Sequence, residues 1–201
     1  MWMQNQAEHQ KHSEYATAAD FCRIFDKDMS SLYLLSLLLT GDHEKAEQCF
    51  VAGLENAANR NTVFKAWARG WARRMIIQNA LRIIDPHPNV ESGITNSSSI
   101  AITDNTLSER AEIAAVLRLK SFERFVFVMS VLEDYSQQDC SILLGCSRGD
   151  VLAARVRALQ QIGMAAEYFR GQRESANRDV SAQTGIASYA FESELRYAKS
   201  A

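Results

Sequence analysis

Only two prolines, Pro86 and Pro88, and nine glycines punctuate the 201 residues of this chain. Both residue types end or bend regular structure, so their scarcity favours long helices over many short strands separated by turns. Apolar residues recur at helical spacing on both sides of the proline pair, which predicts an all-α protein. The length allows one globular unit or two small ones. With 47% hydrophobic and 23% charged residues, the composition is that of a chain that buries a core. The longest nearly apolar run, Leu32 to Leu39, is far shorter than the roughly 18–20 residues of a membrane span. The first fifteen residues are polar and hold no apolar signal core, so a cytoplasmic protein without membrane insertion is expected.

The breaks divide the chain into four regions: a helical region over 17–84, a linker over 85–105, a second helical region over 106–170, and a tail over 171–201. In the first, a leucine-rich helix over about 18–39 is expected to end at Thr40-Gly41. Asp42 is placed to cap the next helix, over about 43–58. A third runs from Thr62 as a candidate cap to about Asp85, where Pro86 stops it. The linker holds both prolines and a Ser/Asn/Thr cluster, the composition of a flexible connection.

Charge is unevenly spread behind a formal net value of −2. Residues 1–59 hold nine acids and four bases, a net of −5. Residues 60–84 hold no acid and six bases, Arg60, Lys65, Arg69, Arg73, Arg74 and Arg82, with Phe64, Trp67 and Trp71 among them. Such a block makes its own positive field whatever the total. Trp67, Trp71 and Met75 follow one another at i+4 and share a helical face. The four cysteines form no CxxC pair and stand apart from the histidines, so buried thiols are expected rather than a metal or redox site. His9 and His12 read as solvated.

The strongest local signal lies in 121–162. Ser121 can cap a helix with an apolar stripe of Phe125, Val128, Met129 and Leu132, broken at Asp134-Tyr135. Ser136 and Asp139 form an S-x-x-D box, and the short helix they open closes at Gly145. Ser147 and Asp150 form a second box, opening a helix through Val151, Val156, Leu159 and Ile162. Two capped helices joined by a few residues containing glycine are the pattern of a helix-turn-helix.

The run LKSFERFVFVMSVLEDYSQQDCSILLGCSRGDVLAARVRALQQI resembles the C-terminal promoter-binding domain, region 4, of the extracytoplasmic-function group of bacterial sigma-70 factors. LLTGDHEKAEQ followed by FKAWARGWARRMIIQNALR is similar to the N-terminal domain, region 2, of the same family. The resemblance covers roughly 17–165 and implies binding to core RNA polymerase and to promoter DNA, with an anti-sigma protein as a possible partner. It implies DNA contacts in the region 2-like part from Arg60, Lys65, Trp67, Arg69, Trp71, Arg73, Arg74 and Asn79. In the helix-turn-helix they would come from Ser147, Arg148, Arg155 and Arg157, and polymerase would dock on Glu44, Glu47, Gln48 and Val51. Indole faces that stack on unpaired bases are worth about 1–3 kcal/mol each. If about four of the six bases of 60–84 follow single-stranded phosphates, log affinity falls against log salt with a slope near −3.

The chain departs from the family pattern at two surfaces. Gln48 and Val51 stand where members carry an acidic residue and a glutamine. Asp150, Leu152, Ala153 and Ala154 stand where hydroxyl and basic residues are usual. A second expectation follows: a sigma-like scaffold kept as a protein-interaction module that regulates transcription without reading promoters. The sequence shows no glycine-rich phosphate loop and no HExxH. Neither expectation includes a catalytic residue, a cofactor or a metal, because in this family the polymerase does the chemistry.

Overall fold

The computed structural model describes residues 14–59, 63–88, 107–168, 170 and 171. The described part is all-α, with one isolated antiparallel bridge between Tyr15 and Phe64. Before the prolines come α1 (Ala18–Lys27), α2 (Met29–Thr40), α3 (His43–Ala58), a 3-10 turn (Lys65–Trp67) and α4 (Ala68–Ile84). After them come α5 (Leu107–Leu117), α6 (Ser121–Phe127), a π turn (Val128–Leu132), α7 (Gln137–Leu144) and α8 over 148–168. Most of the linker (89–106), nearly all of the tail (172–201), and Arg60, Thr62, His9 and His12 lie outside the described residues.

The expected caps form as their side chains dictate. Thr17 and Asp20 close a capping box on α1. Asp42 Oδ1 accepts from the Lys45 amide at 2.9 Å, and Gly41 takes the left-handed conformation at φ +72°. The Asp139 amide donates to Ser136 Oγ and the Asp150 amide to Ser147 Oγ, both at 3.1 Å, while Gly145 sits at φ +62°. α4 ends at Asp85, itself left-handed at φ +48°, directly before Pro86.

Four local expectations change. The third helix does not run from Thr62: Phe64 is extended (ψ 142°) and bridged to Tyr15, and helical geometry starts with the 3-10 turn at Lys65. The leucine-rich helix is not continuous: Asp28 leaves helical geometry (φ −102°, ψ 19°), and its carboxylate pairs with Arg69 at 3.2 Å. The resulting bend lets Phe21 and Phe25 on α1 and Leu32, Leu35 and Leu39 on α2 all reach the core. The N-cap position of α6 is Lys120, which makes no side-chain cap, and Ser121 is the first helical residue. At the far end of that stripe the Glu133 amide reaches back to the Val128 carbonyl at 3.0 Å, a widened i+5 turn. The widening rotates Leu132 out, leaving it half exposed, while Val128 and Met129 stay buried.

Buried residues from both sides of the proline pair belong to one apolar cluster. It runs from Phe21, Leu39 and Ile76 to Phe125, Met129 and Val151. One polar link across it is Arg124, a buried guanidinium on α6. Its Nε donates to the Leu39 carbonyl at 3.3 Å and its Nη2 to the Thr40 carbonyl at 3.1 Å. Nη1 holds the Leu119 carbonyl at 3.2 Å and the Leu117 carbonyl at 3.5 Å. Carbonyls in the last turn of a helix lack intrahelical donors, so one side chain satisfies the end of α2 and the loop before α6 together. Burial pulls the Arg124 guanidinium down to about 10, which leaves it charged at neutral pH.

Candidate functional site

The basic stretch lies on the 3-10 turn and α4. The Phe64–Tyr15 stack, with centroids 4.6 Å apart, anchors its start, and Trp67 meets Phe64 edge-on at 5.2 Å. Trp67 is 66% exposed, Trp71 is half-buried and Met75 is buried. The i+4 series therefore dives from solvent into the core rather than lying along one open face. The indole Nε1 of Trp71 is buried and has no hydrogen-bond partner among the described residues. Trp67 is the open ring.

The cations are sorted in the same way. Arg73 makes a two-point ion pair with Glu133, its Nε at 2.6 Å from Oε2 and its Nη2 on Oε1, while Nη1 donates to Ser31 Oγ at 3.0 Å. That pair raises the proton affinity of Arg73 further. Arg69 is held by Asp28. Lys65 and Arg74 are exposed, and neither makes an ion pair among the described residues. Asn79 is buried, accepting from Asn56 Nδ2 at 3.0 Å and donating to the Met75 carbonyl at 2.8 Å. It holds α3 against α4 and presents nothing to a ligand in this conformation.

A cleft of about 570 Å³ opens beside Trp67. One wall is the start of α4, with Trp67, Trp71 and Arg74; the other is Tyr135 with Asp139 and Ile142 of α7. Burial pushes the Tyr135 phenol up, so it stays protonated at neutral pH. Tyr135, Asp139 and Ile142 were not among the sequence-predicted site residues. Asp139 serves as a cap partner, and Tyr135 marks only a helix break. Ile142, 66% exposed on a helix of eight residues, shows only in the structure, and nothing in its sequence context marked it as a site residue.

In the helix-turn-helix, Ser147 is engaged in its cap, with its Oγ 2.7 Å from Asp150 Oδ2. That bond holds the Asp150 carboxyl below its ordinary range. Arg148 and Arg155 are exposed. Arg157 Nε instead donates to Glu123 Oε1 at 2.7 Å, and Gln161 Nε2 donates to Glu123 Oε2 at 3.2 Å, so Arg157 neutralises a buried carboxylate. Glu44, Glu47, Gln48 and Val51 are all exposed and share one side of α3 by their spacing. Cys49 and Cys140 are buried with thiols pushed up to about 11, while Cys146 is half-buried and Cys22 is exposed. No cluster of three or more metal-ligating side chains occurs among the described residues.

The geometry defines a class, an all-α protein in which two capped helices meeting at the Gly145 turn lie near an aromatic-basic helix. No protein-family model matches the chain, and no curated protein matches it significantly. Among the described residues no helix is long and apolar enough to cross a membrane.

Proposed function

We propose that this chain is a sigma-factor-like transcription initiation protein that binds core RNA polymerase and promoter DNA. The observation that carries the reading is Trp67: an indole open to solvent on a cleft that Arg74 also lines, with Arg74 unpaired among the described residues. An aromatic face beside a free cation is what an unpaired base and its phosphate require. The two-capped helix-turn-helix supports duplex binding, and the exposed side of α3 supports polymerase docking. In this reading residues 17–84 and 106–170 are the two functional parts, the protein works in the cytoplasm, and the polymerase supplies the chemistry.

In this reading the contact set is smaller than the basic stretch suggests. With Arg69 and Arg73 held by carboxylates and Lys65 on the groove beside Asp20, Arg74 remains on the Trp67 cleft, so the salt slope on single-stranded DNA is expected near −0.7 rather than −3. The test is electrophoretic mobility shift of a pre-melted promoter fork and of the matching duplex, with purified core polymerase. Trp67→Ala is expected to weaken fork binding by about five- to a hundredfold, with a smaller effect on the duplex and no change in helicity. Absence of any polymerase-dependent complex with the unaltered protein overturns the reading.

One observation favours the second reading, an interaction module that regulates transcription without reading promoters. The outward side of α8 carries Leu152, Val156 and Leu159, where base readout needs hydrogen-bonding side chains.

A further inference from the structure

The two sides of α8 differ in what touches them. Val151, Ala154 and Ala158 are buried against the rest of the helix-turn-helix. On the opposite side Leu152, Val156 and Leu159 stand at i, i+4 and i+7, and at about 100° per residue they line a single stripe. They are 54%, 46% and 46% exposed. Gly163 continues the stripe with open space above it, so a second helix backbone can approach closely. Arg148 and Arg155, seven residues apart, run along one edge of the stripe. Both are exposed, and neither makes an ion pair among the described residues. The carboxylate of Asp150 is turned elsewhere, onto Ser147.

We propose that this side of α8 is a docking surface for an acidic amphipathic helix of a partner protein. Three apolar side chains at helical spacing fit the helix-against-helix mode of recognition. The free guanidinium groups on their flank select carboxylates on the incoming helix. Duplex DNA fits less well, because Leu and Val offer base edges only apolar contact to a thymine methyl. A second copy fits less well too. Antiparallel pairing about a two-fold axis sets each edge of the helix against its own counterpart, which brings the Arg148–Arg155 edge against itself. The proposal rests on the interaction-module reading. Failure to form a polymerase complex would remove the initiation reading and leave this surface untouched.

The probe is a labelled synthetic helix of about 21 residues with leucines on one stripe and glutamates along its edges, with a companion in which lysine replaces glutamate. Binding to the full chain is followed by fluorescence anisotropy. The glutamate peptide is expected to bind about tenfold or more tightly than the lysine peptide, and L152Q/L159Q to weaken it about tenfold with unchanged circular dichroism. Arg155→Glu, which leaves the stripe intact, is expected to reverse the preference between the two peptides. Equal binding of both peptides, binding of neither, or indifference to L152Q/L159Q overturns the proposal. So do three other results with that variant: loss of duplex DNA binding, loss of a concentration-dependent dimer, or new protease sensitivity within 172–201. These would assign the stripe to DNA, to a second copy and to the chain's own C-terminal segment, respectively.

Discussion

The turn at Gly41 and the turn at Gly145 share their local chemistry. In each, a helix ends on a left-handed glycine, at φ +72° and φ +62°. Within two residues a side-chain oxygen, Asp42 Oδ1 or Ser147 Oγ, accepts an amide at the start of the next helix. Their surroundings differ completely. A Cβ on Gly41 would stand 2.7 Å from the Arg124 Nη2, because that guanidinium covers the turn and takes up the carbonyls beside it. Nothing lies within 4 Å of a Cβ on Gly145. The first turn is a structural joint between the two halves of the chain. The second is open, and it leads into the helix whose outward side is free for a partner. Equal local signals thus mark one position used for assembly and one left for recognition.

The contrast breaks most directly at Arg124. Arg124→Ala leaves the Leu39 and Thr40 carbonyls without this donor and a void beneath them, and is expected to cost about 3 kcal/mol in urea denaturation. A loss no larger than that of an exposed substitution would mean that the Gly41 turn is not held from the other half. Next in size is the pair of glycine variants. Gly41→Ala combines left-handed strain of about 1–2 kcal/mol with displacement of the Arg124 guanidinium, whereas Gly145→Ala meets only the strain. A difference of about 1 kcal/mol or more between their denaturation midpoints is expected, shrinking when Arg124→Ala is present in both backgrounds. Smallest is the Arg73–Glu133 bridge, partly open to solvent on the arginine side. A double-mutant cycle with Arg73→Ala and Glu133→Ala is expected to give a coupling of about 1 kcal/mol. Zero coupling would confine the polar connection between the halves to Arg124.

How much was legible beforehand depended on distance along the chain. Asp42, Gly41, Ser136, Gly145 and Ser147 were readable because a cap is decided within about four residues. The break at Asp28 was not, since nothing in MSSLYLL announces it and Arg69, the partner of Asp28, lies on another helix. The i+4 spacing of Trp67 and Trp71 predicts one helical face, yet Trp67 ends the 3-10 turn ahead of α4 and only Trp71 lies on the helix. The spacing was silent on what covers that face, so only the structure separates an open indole from a half-buried one. The basic block likewise carried no sign of which cations would be taken. Arg73 is held by Glu133, sixty residues away, and Arg157 by Glu123, thirty-four away.

Helix class and helix ends were therefore written in near-neighbour patterns, because capping and amphipathic spacing act over one or two turns of chain. The free or engaged state of each charge and ring was set by packing. Arg124 meets Leu39 across 85 residues of sequence, and burial and ion pairing depend on what is near in space. That sorting left Trp67 and Arg74 open on one cleft and Leu152, Val156, Leu159, Arg148 and Arg155 exposed on α8.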